Sequence, residues 1–180
     1  MKDGFIKVAA GTPDIKVADC EYNRAEITAL IDKAYAAGVR ILALPELCIT
    51  GYTCQDLFFQ QALLDGALNA LREITEHTAG SDMLISVGCP LRFRGELYNC
   101  AVVLKDGKIL GVVPKKFLPN YNEFYEKRHF TAAPEGQFDI ELFGESVPFG
   151  LGLLFECRTM PELVFAAELC EDLWAAEPPS

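Results

Sequence analysis

Three residues in this sequence join a reactive side chain to the exit of an apolar run. They are Glu46 in "ILALPELCITGY", Lys115 in "VVPKKFLP" and Cys170 in "LVFAAELCEDLW". Together they are the parts needed for thiol-based amide chemistry. A carboxylate accepts the thiol proton, the thiolate attacks, and a lysine cation offsets local negative charge and steadies an oxyanion. Each residue alone also fits a plainer role. Glu46 suits a helix-capping or solvated carboxylate, Lys115 and Lys116 suit two surface lysines, and Cys170 suits a buried core thiol. Cys170 poses a problem of its own, because Glu171 and Asp172 follow at once and nearby negative charge disfavours a thiolate. Either the thiol is inert, or a base and a cation from elsewhere in the chain activate it.

The elements that must position these residues alternate between the two regular types. Residues 5–10, "FIKVAA", read as a strand closed by the turn-like "GTPD". Residues 20–37 carry Ile27, Leu30, Ile31, Ala34 and Tyr35 at helical spacing, with Asp19 as N-cap and Gly38 as C-cap. Residues 39–44, "VRILAL", read as a buried strand that hands over to the loop bearing Glu46. Active-site groups of α/β folds gather at such strand ends. A helical stretch over 55–78 precedes the strand "MLISVG" (83–88). Residues 98–114 read as a hairpin turning at Asp-Gly. Its second strand leaves through Pro114, which stiffens the exit, and in an extended chain Lys115 and Lys116 point to opposite sides. Residues 115–136 are polar, aromatic and irregular. Strands return at "FDIEL", around 149–155, and at "LVFAAELC". Early helices with late, hairpin-linked strands make a mixed α/β layered fold.

Bulk properties narrow the function classes. With 180 residues, 51% hydrophobic and 23% charged, the chain suits one globular domain with a sizeable core. Its net charge of -10 argues against a nucleic-acid or anionic-membrane surface. No stretch approaches the ~20 apolar residues of a membrane span, and no basic-then-apolar leader opens the chain. The seven cysteines are odd in number and irregular in spacing, with no CxxC, and there are only two histidines. That pattern fits neither a disulfide framework nor a structural zinc site, and metal catalysis is poorly supplied. The reading is a reducing, cytoplasmic protein whose cysteines are mostly buried small hydrophobes.

The stretches "LPELCITGYTCQDLF" (44–58), "VPKKFLPNYNEFYEKRHF" (113–130) and "ELCEDLW" (168–174), in this order and spacing, resemble the nitrilase (carbon–nitrogen hydrolase) superfamily. Within it they are most similar to the N-terminal glutaminase domains of glutamine-dependent NAD synthetases. The resemblance implies an α-β-β-α sandwich carrying a Glu–Lys–Cys triad. It assigns Glu46 as general base, Lys115 as oxyanion stabiliser and Cys170 as nucleophile, with Lys116 in a variable slot. Glu126 matches a second, supporting carboxylate beside the lysine, and Tyr121 matches a residue that helps hold glutamine. In the family an apolar residue and a proline usually stand before "PPS", whereas this chain has "AAE". If the segment after Cys170 is extended, Glu171 points away from the sulfur and its backbone N–H is free to donate to the oxyanion.

The function so implied is release of ammonia from L-glutamine through a Cys thioester, feeding NAD synthesis from deamido-NAD and ATP. The glutaminase part needs no metal or organic cofactor; ATP and Mg2+ belong to the synthetase domain. The partners implied are glutamine, that synthetase domain and further copies of the chain in a homo-oligomer. "LVFAAELC" has no following helix to cover it. The sequence therefore reads as residues 1–180 of a glutaminase domain that stops after the nucleophile strand, with the rest of that domain and the synthetase domain not present. Two other readings compete: a stand-alone nitrilase-type amidase for another small amide, and a catalytically incompetent folding or assembly fragment.

Overall fold

The computed structural model describes residues 4–179. Seven strands form one sheet in the order β1-β2-β3-β4-β5-β7-β6. They are β1 (Val8–Ala10), β2 (Ile41–Ala43), β3 (Leu84–Phe93), β4 (Glu96–Lys105), β5 (Lys108–Pro114), β6 (Gln137–Leu142) and β7 (Glu145–Gly150). The β1–β2, β2–β3 and β5–β7 pairs are parallel, and the β3–β4, β4–β5 and β6–β7 pairs antiparallel. Two long helices, α1 (Cys20–Ala36) and α2 (Gln61–His77), share a single core with one face of this sheet. The described residues thus supply one helical layer and one sheet of the expected sandwich. Among them, no helix is long and apolar enough to cross a membrane.

The local chemistry explains these elements. In α1, Ile27, Ile31 and Ala34 are buried along one stripe, and each buried isoleucine contributes about 1.5–3 kcal/mol of hydrophobic stabilisation. The Asp19 carboxylate accepts from the Tyr22 N–H at 3.0 Å and caps the start. The helix ends one residue before the sequence suggests, with Ala37 as C-cap and Gly38 just beyond it at φ 77°. The N–H groups of Gly38 and Val39 bond back to Tyr35 and Ala34, which is the Schellman arrangement that favours glycine at this place. The expected helix over 55–78 is split by Gln60 into a 3-10 turn, Gln55–Phe59, and α2. Strand β1 is shorter than residues 5–10, keeping only Val8–Ala10.

Strand β3 runs on to Phe93, well past the expected end at residue 88. Gly88 and Pro90 look like terminators, but β2 pairs with β3 only as far as Ser86. Beyond that point β3 has a strand partner on one side alone, where a proline is tolerated. At the β4–β5 turn, Asp106 and Gly107 both have positive φ, the backbone that a two-residue Asp-Gly hairpin requires.

The second face of β4 and β5 is covered by the end of the chain. Ala101 and Val113 cluster with Leu153, Phe155, Ala167 and Leu169. A Cβ at Gly111 would lie 3.0 Å from Leu153 and Phe155 side-chain atoms, so this segment packs directly on β5. The strands expected around 149–155 and over "LVFAAELC" are largely irregular chain. Only β8 (Phe155–Glu156) and β9 (Val164–Phe165) pair, as a separate two-stranded piece. The reason is visible in the packing: residues 166–169 serve to wrap the sheet face, and no neighbouring strand offers them a ladder.

Candidate active site

Glu46 reaches the sheet because Gly88 leaves room for its backbone. A Cβ on Gly88 would meet the Leu47 nitrogen at 2.2 Å and the Pro45 oxygen at 2.5 Å. Any side chain there would push the loop off β3. After β2 the chain turns tightly, with Leu47 at φ 50° and the Gly51 N–H bonded to the Leu47 oxygen at 2.7 Å. The Glu46 carboxylate is then held by two donors on the same oxygen. Asn99 Nδ2 and Lys115 Nζ each donate to Oε1 at 2.6 Å.

Lys115 follows the last residue of β5 and its side chain is wholly buried. Its main-chain N–H donates to the Asn99 oxygen at 2.8 Å, and its oxygen accepts from the Ala133 N–H at 2.9 Å, so the backbone is fixed from both sides. Nζ bridges two carboxylates, Glu46 Oε1 and Glu126 Oε1, the latter at 2.7 Å. Lys116 points outward, its ammonium lying 5.1 Å from the Phe117 ring centroid. Glu126 opens the short helix α3 (Glu126–His129), which the sequence reading left as irregular chain. It is 3% exposed, and its Oε1 also accepts from the Tyr52 hydroxyl at 2.8 Å.

The charges in this cluster do not balance. Burial pulls the Lys115 ammonium down, but two carboxylates outweigh it and its pKa stands raised. Burial drives the Glu126 carboxyl up, and the Glu46 charge adds to that. Its share of one ammonium and the Tyr52 hydroxyl does not compensate, so its pKa is also raised.

Cys170 sits at φ 47°, ψ -98°, immediately before α4 (Glu171–Trp174). A non-glycine residue outside the ordinary regions costs about 1–3 kcal/mol and marks functional sites more often than others. The chain after Cys170 is therefore a sharp turn into a helical one, not the extended segment the sequence suggests. The turn separates the two acids by another route. Glu171 accepts from the Tyr121 hydroxyl at 2.9 Å, while Asp172 turns inward and is 1% exposed. Asp172 accepts from the N–H groups of Phe117 at 2.7 Å, Lys116 at 3.1 Å and Leu169 at 3.4 Å. It clamps the turn at Cys170 to the loop that follows Lys115.

Cys170 and Glu46 line one cavity of about 250 Å³, together with Ser86, Gly88, Ala101 and Leu169. Burial raises the Cys170 thiol pKa first and the Glu46 charge second, with Lys115 opposing; the adjacent Glu171 contributes less than any of these. The resting thiol is thus protonated, and a base is needed to make it a nucleophile. A second cavity, of about 550 Å³, is lined by Lys116, Phe117, Tyr121, Lys127, Phe130 and Glu171, the residue that follows Cys170. Among the described residues, no group of three or more His, Cys, Asp or Glu side chains is placed to hold a metal ion.

Every residue singled out from sequence lies in this region. Glu46, Lys115 and Glu126 are joined by hydrogen bonds, Cys170 shares the Glu46 cavity, and Tyr121 with Glu171 lines the second one. The sequence does not single out Asn99 or Tyr52, and it marks Asp172 only as a charge beside Cys170, not as the clamp it forms. Asn99 left a signal, a polar side chain inside the apolar strand "LYNCAVV", where burial demands a partner. Tyr52 and the Asp172 clamp left none, because their partners are remote in sequence. Among the described residues, the buried atoms Asn99 Oδ1 and Glu126 Oε2 have no protein hydrogen-bond partner.

The arrangement brings a thiol, two carboxylates and one buried ammonium into one region, and comparison with known proteins gives the family. Residues 7–179 match the carbon-nitrogen hydrolase family, and the chain belongs to it. The chain is 37% identical over 177 residues to the glutamine-dependent NAD(+) synthetase of Mycobacterium tuberculosis, a match covering 98% of this chain and 26% of that protein. The glutamine-dependent NAD(+) synthetase of Cytophaga hutchinsonii superposes with a TM-score of 0.79 at 34% identity, over 85% of this chain and 26% of that one. An amidase from Nesterenkonia sp. shares the fold, with a TM-score of 0.61 at 19% identity over 79% of this chain and 54% of its own. The chain thus spans about a quarter of the length of the synthetases it resembles.

Proposed function

We propose that this chain hydrolyses the side-chain amide of L-glutamine and supplies the ammonia to an NAD-forming synthetase domain. The observation that carries the reading is the bridged cluster: one buried ammonium shared by Glu46 and Glu126, opening through Glu46 onto the cavity of Cys170. The substrate class rests on the relatives, whose names specify glutamine-dependent NAD(+) synthesis.

Glu46 removes the Cys170 proton as the sulfur attacks the amide carbon. Lys115 carries three N–H donors, of which two are engaged, and the third serves the oxyanion. The N–H of Glu171, first in α4, has no acceptor within its helix and serves as the second donor. Protonated Glu46 returns its proton to the leaving nitrogen and ammonia departs. The γ-glutamyl thioester that remains is cleaved by water activated on the same carboxylate. Glu126 holds Lys115 in place, and Tyr121 helps retain the amino acid. ATP and Mg2+ act in the synthetase domain of the longer chain. All seven cysteines stand free, which fits a cytoplasmic protein.

The test is Cys170→Ala in the complete natural chain. Glutamine-driven NAD formation should vanish while synthesis from free ammonia continues. Glutamine-driven turnover that survives this change would refute the nucleophile.

A further inference from the structure

We infer that Asn99 is a positioning residue that decides which oxygen of the Glu46 carboxylate exchanges protons with Cys170. The inference deepens the hydrolase reading above and rests on it for the identity of base and nucleophile.

The argument starts from strand register. Tyr98 and Cys100 belong to the core beneath the helices, so Asn99, between them, points to the opposite face, as does Ala101. Ala101 lines the cavity shared by Glu46 and Cys170. Asn99 is wholly buried, and its Nδ2 donates to Glu46 Oε1 at 2.6 Å. Lys115 Nζ donates to the same oxygen at the same distance. Two donors converging on Oε1 fix the carboxylate plane and leave Oε2 to receive a proton. With Lys115 alone the group is held at one point and rotates about that contact.

The other half of the Asn99 amide shows that the residue is not there for packing. Oδ1 is buried with no protein hydrogen-bond partner among the described residues. What the side chain contributes is the Nδ2 donor. The main-chain oxygen of Asn99 anchors the Lys115 N–H, and that bond survives any change of side chain. Substitution therefore isolates the effect on Glu46.

The experiment compares Asn99→Ala and Asn99→Leu with the parent in the complete natural chain. Leucine keeps most of the volume and loses the donor without adding a charge. Glutamine turnover should fall by roughly 10²-fold in kcat with KM little changed, as for a misplaced catalytic group. Both variants should remain folded at the assay temperature, checked by thermal melts, so that lost turnover is not lost fold. The second readout is the rate of Cys170 alkylation by iodoacetamide at neutral pH, followed by peptide mass spectrometry. It should slow in both variants. Should the parent fail to hydrolyse glutamine, the substrate reading is lost, yet the alkylation comparison still tests Asn99. Normal turnover or normal Cys170 alkylation in either variant overturns the inference. So does a loss of activity matched in both variants by loss of folded protein.

Discussion

Replacing Lys115 with methionine keeps a side chain of similar length and removes only the charge and its three donors. In the native cluster the ammonium lies 2.6 Å from Glu46 and 2.7 Å from Glu126. Without it, two carboxylates face each other across an apolar gap, one 19% exposed and the other 3%. Breaking a buried pair by removing one partner costs about 3–5 kcal/mol, because the remaining charge stays desolvated. For a cooperative unit of this size, that is a fall of roughly 6–20 °C in melting temperature. Lys116→Met, one residue on and exposed, should stay within ~0.5 kcal/mol of the parent. The sign of the pH effect follows from Glu126. Its folded pKa already lies above the ordinary carboxylate value, so protonation relieves a buried charge. Stability of Lys115→Met should therefore recover as the pH falls through that raised pKa, and worsen above it. Urea unfolding of the three proteins at neutral and acidic pH measures this, with glutamine turnover as the functional arm. Equal stability of the Lys115 and Lys116 variants, or a Lys115 variant that is weakest in acid, would refute the reasoning.

Two further outcomes test the surroundings of the nucleophile. Asp172→Asn places an NH2 group against main-chain N–H donors that a carboxylate now satisfies. Unfolding should show a loss of about 1–3 kcal/mol, with turnover reduced because the nucleophile turn is no longer clamped to the lysine loop. Alkylation with iodoacetamide across a pH series should label half-buried Cys157 at lower pH than exposed Cys170, since the Thr159 hydroxyl lowers the Cys157 pKa. Cys170 labelling should keep climbing beyond pH 9. Burial holds Cys20 up at about 11 and Cys48 at about 12, and both should resist throughout. A Cys170 rate that levels off at neutral pH would contradict the burial argument.

How far the sequence discloses this molecule depends on the range of the forces involved. The α1 cap at Asp19 and the Asp-Gly hairpin are decided within four or five residues, and both stand where local chemistry puts them. The extension of β3 to Phe93 is decided by what β2 leaves unpaired, which no window around Pro90 contains. The same holds for "LVFAAELC". Its apolar composition announces burial, and burial it has, but against the far face of β4 and β5 instead of in a ladder. Apolar runs report how much water is excluded; they say little about which backbone partner does the excluding.

The site divides along the same line. The exit from an apolar run draws attention to Glu46, Lys115 and Cys170, a property of the residues beside each. Alone each also fits a plainer role, and their joint assignment comes from the resemblance that the three stretches carry. The contacts of Asn99, Tyr52 and Asp172 span 53, 74 and 55 residues. Those contacts also settle the difficulty raised by the two acids after the cysteine. Their charges would oppose a thiolate if both side chains stayed beside the sulfur. The positive φ at Cys170 instead sends one to Tyr121 and the other beneath the lysine loop, so the carboxylate that governs the thiol is Glu46, 124 positions away in the chain.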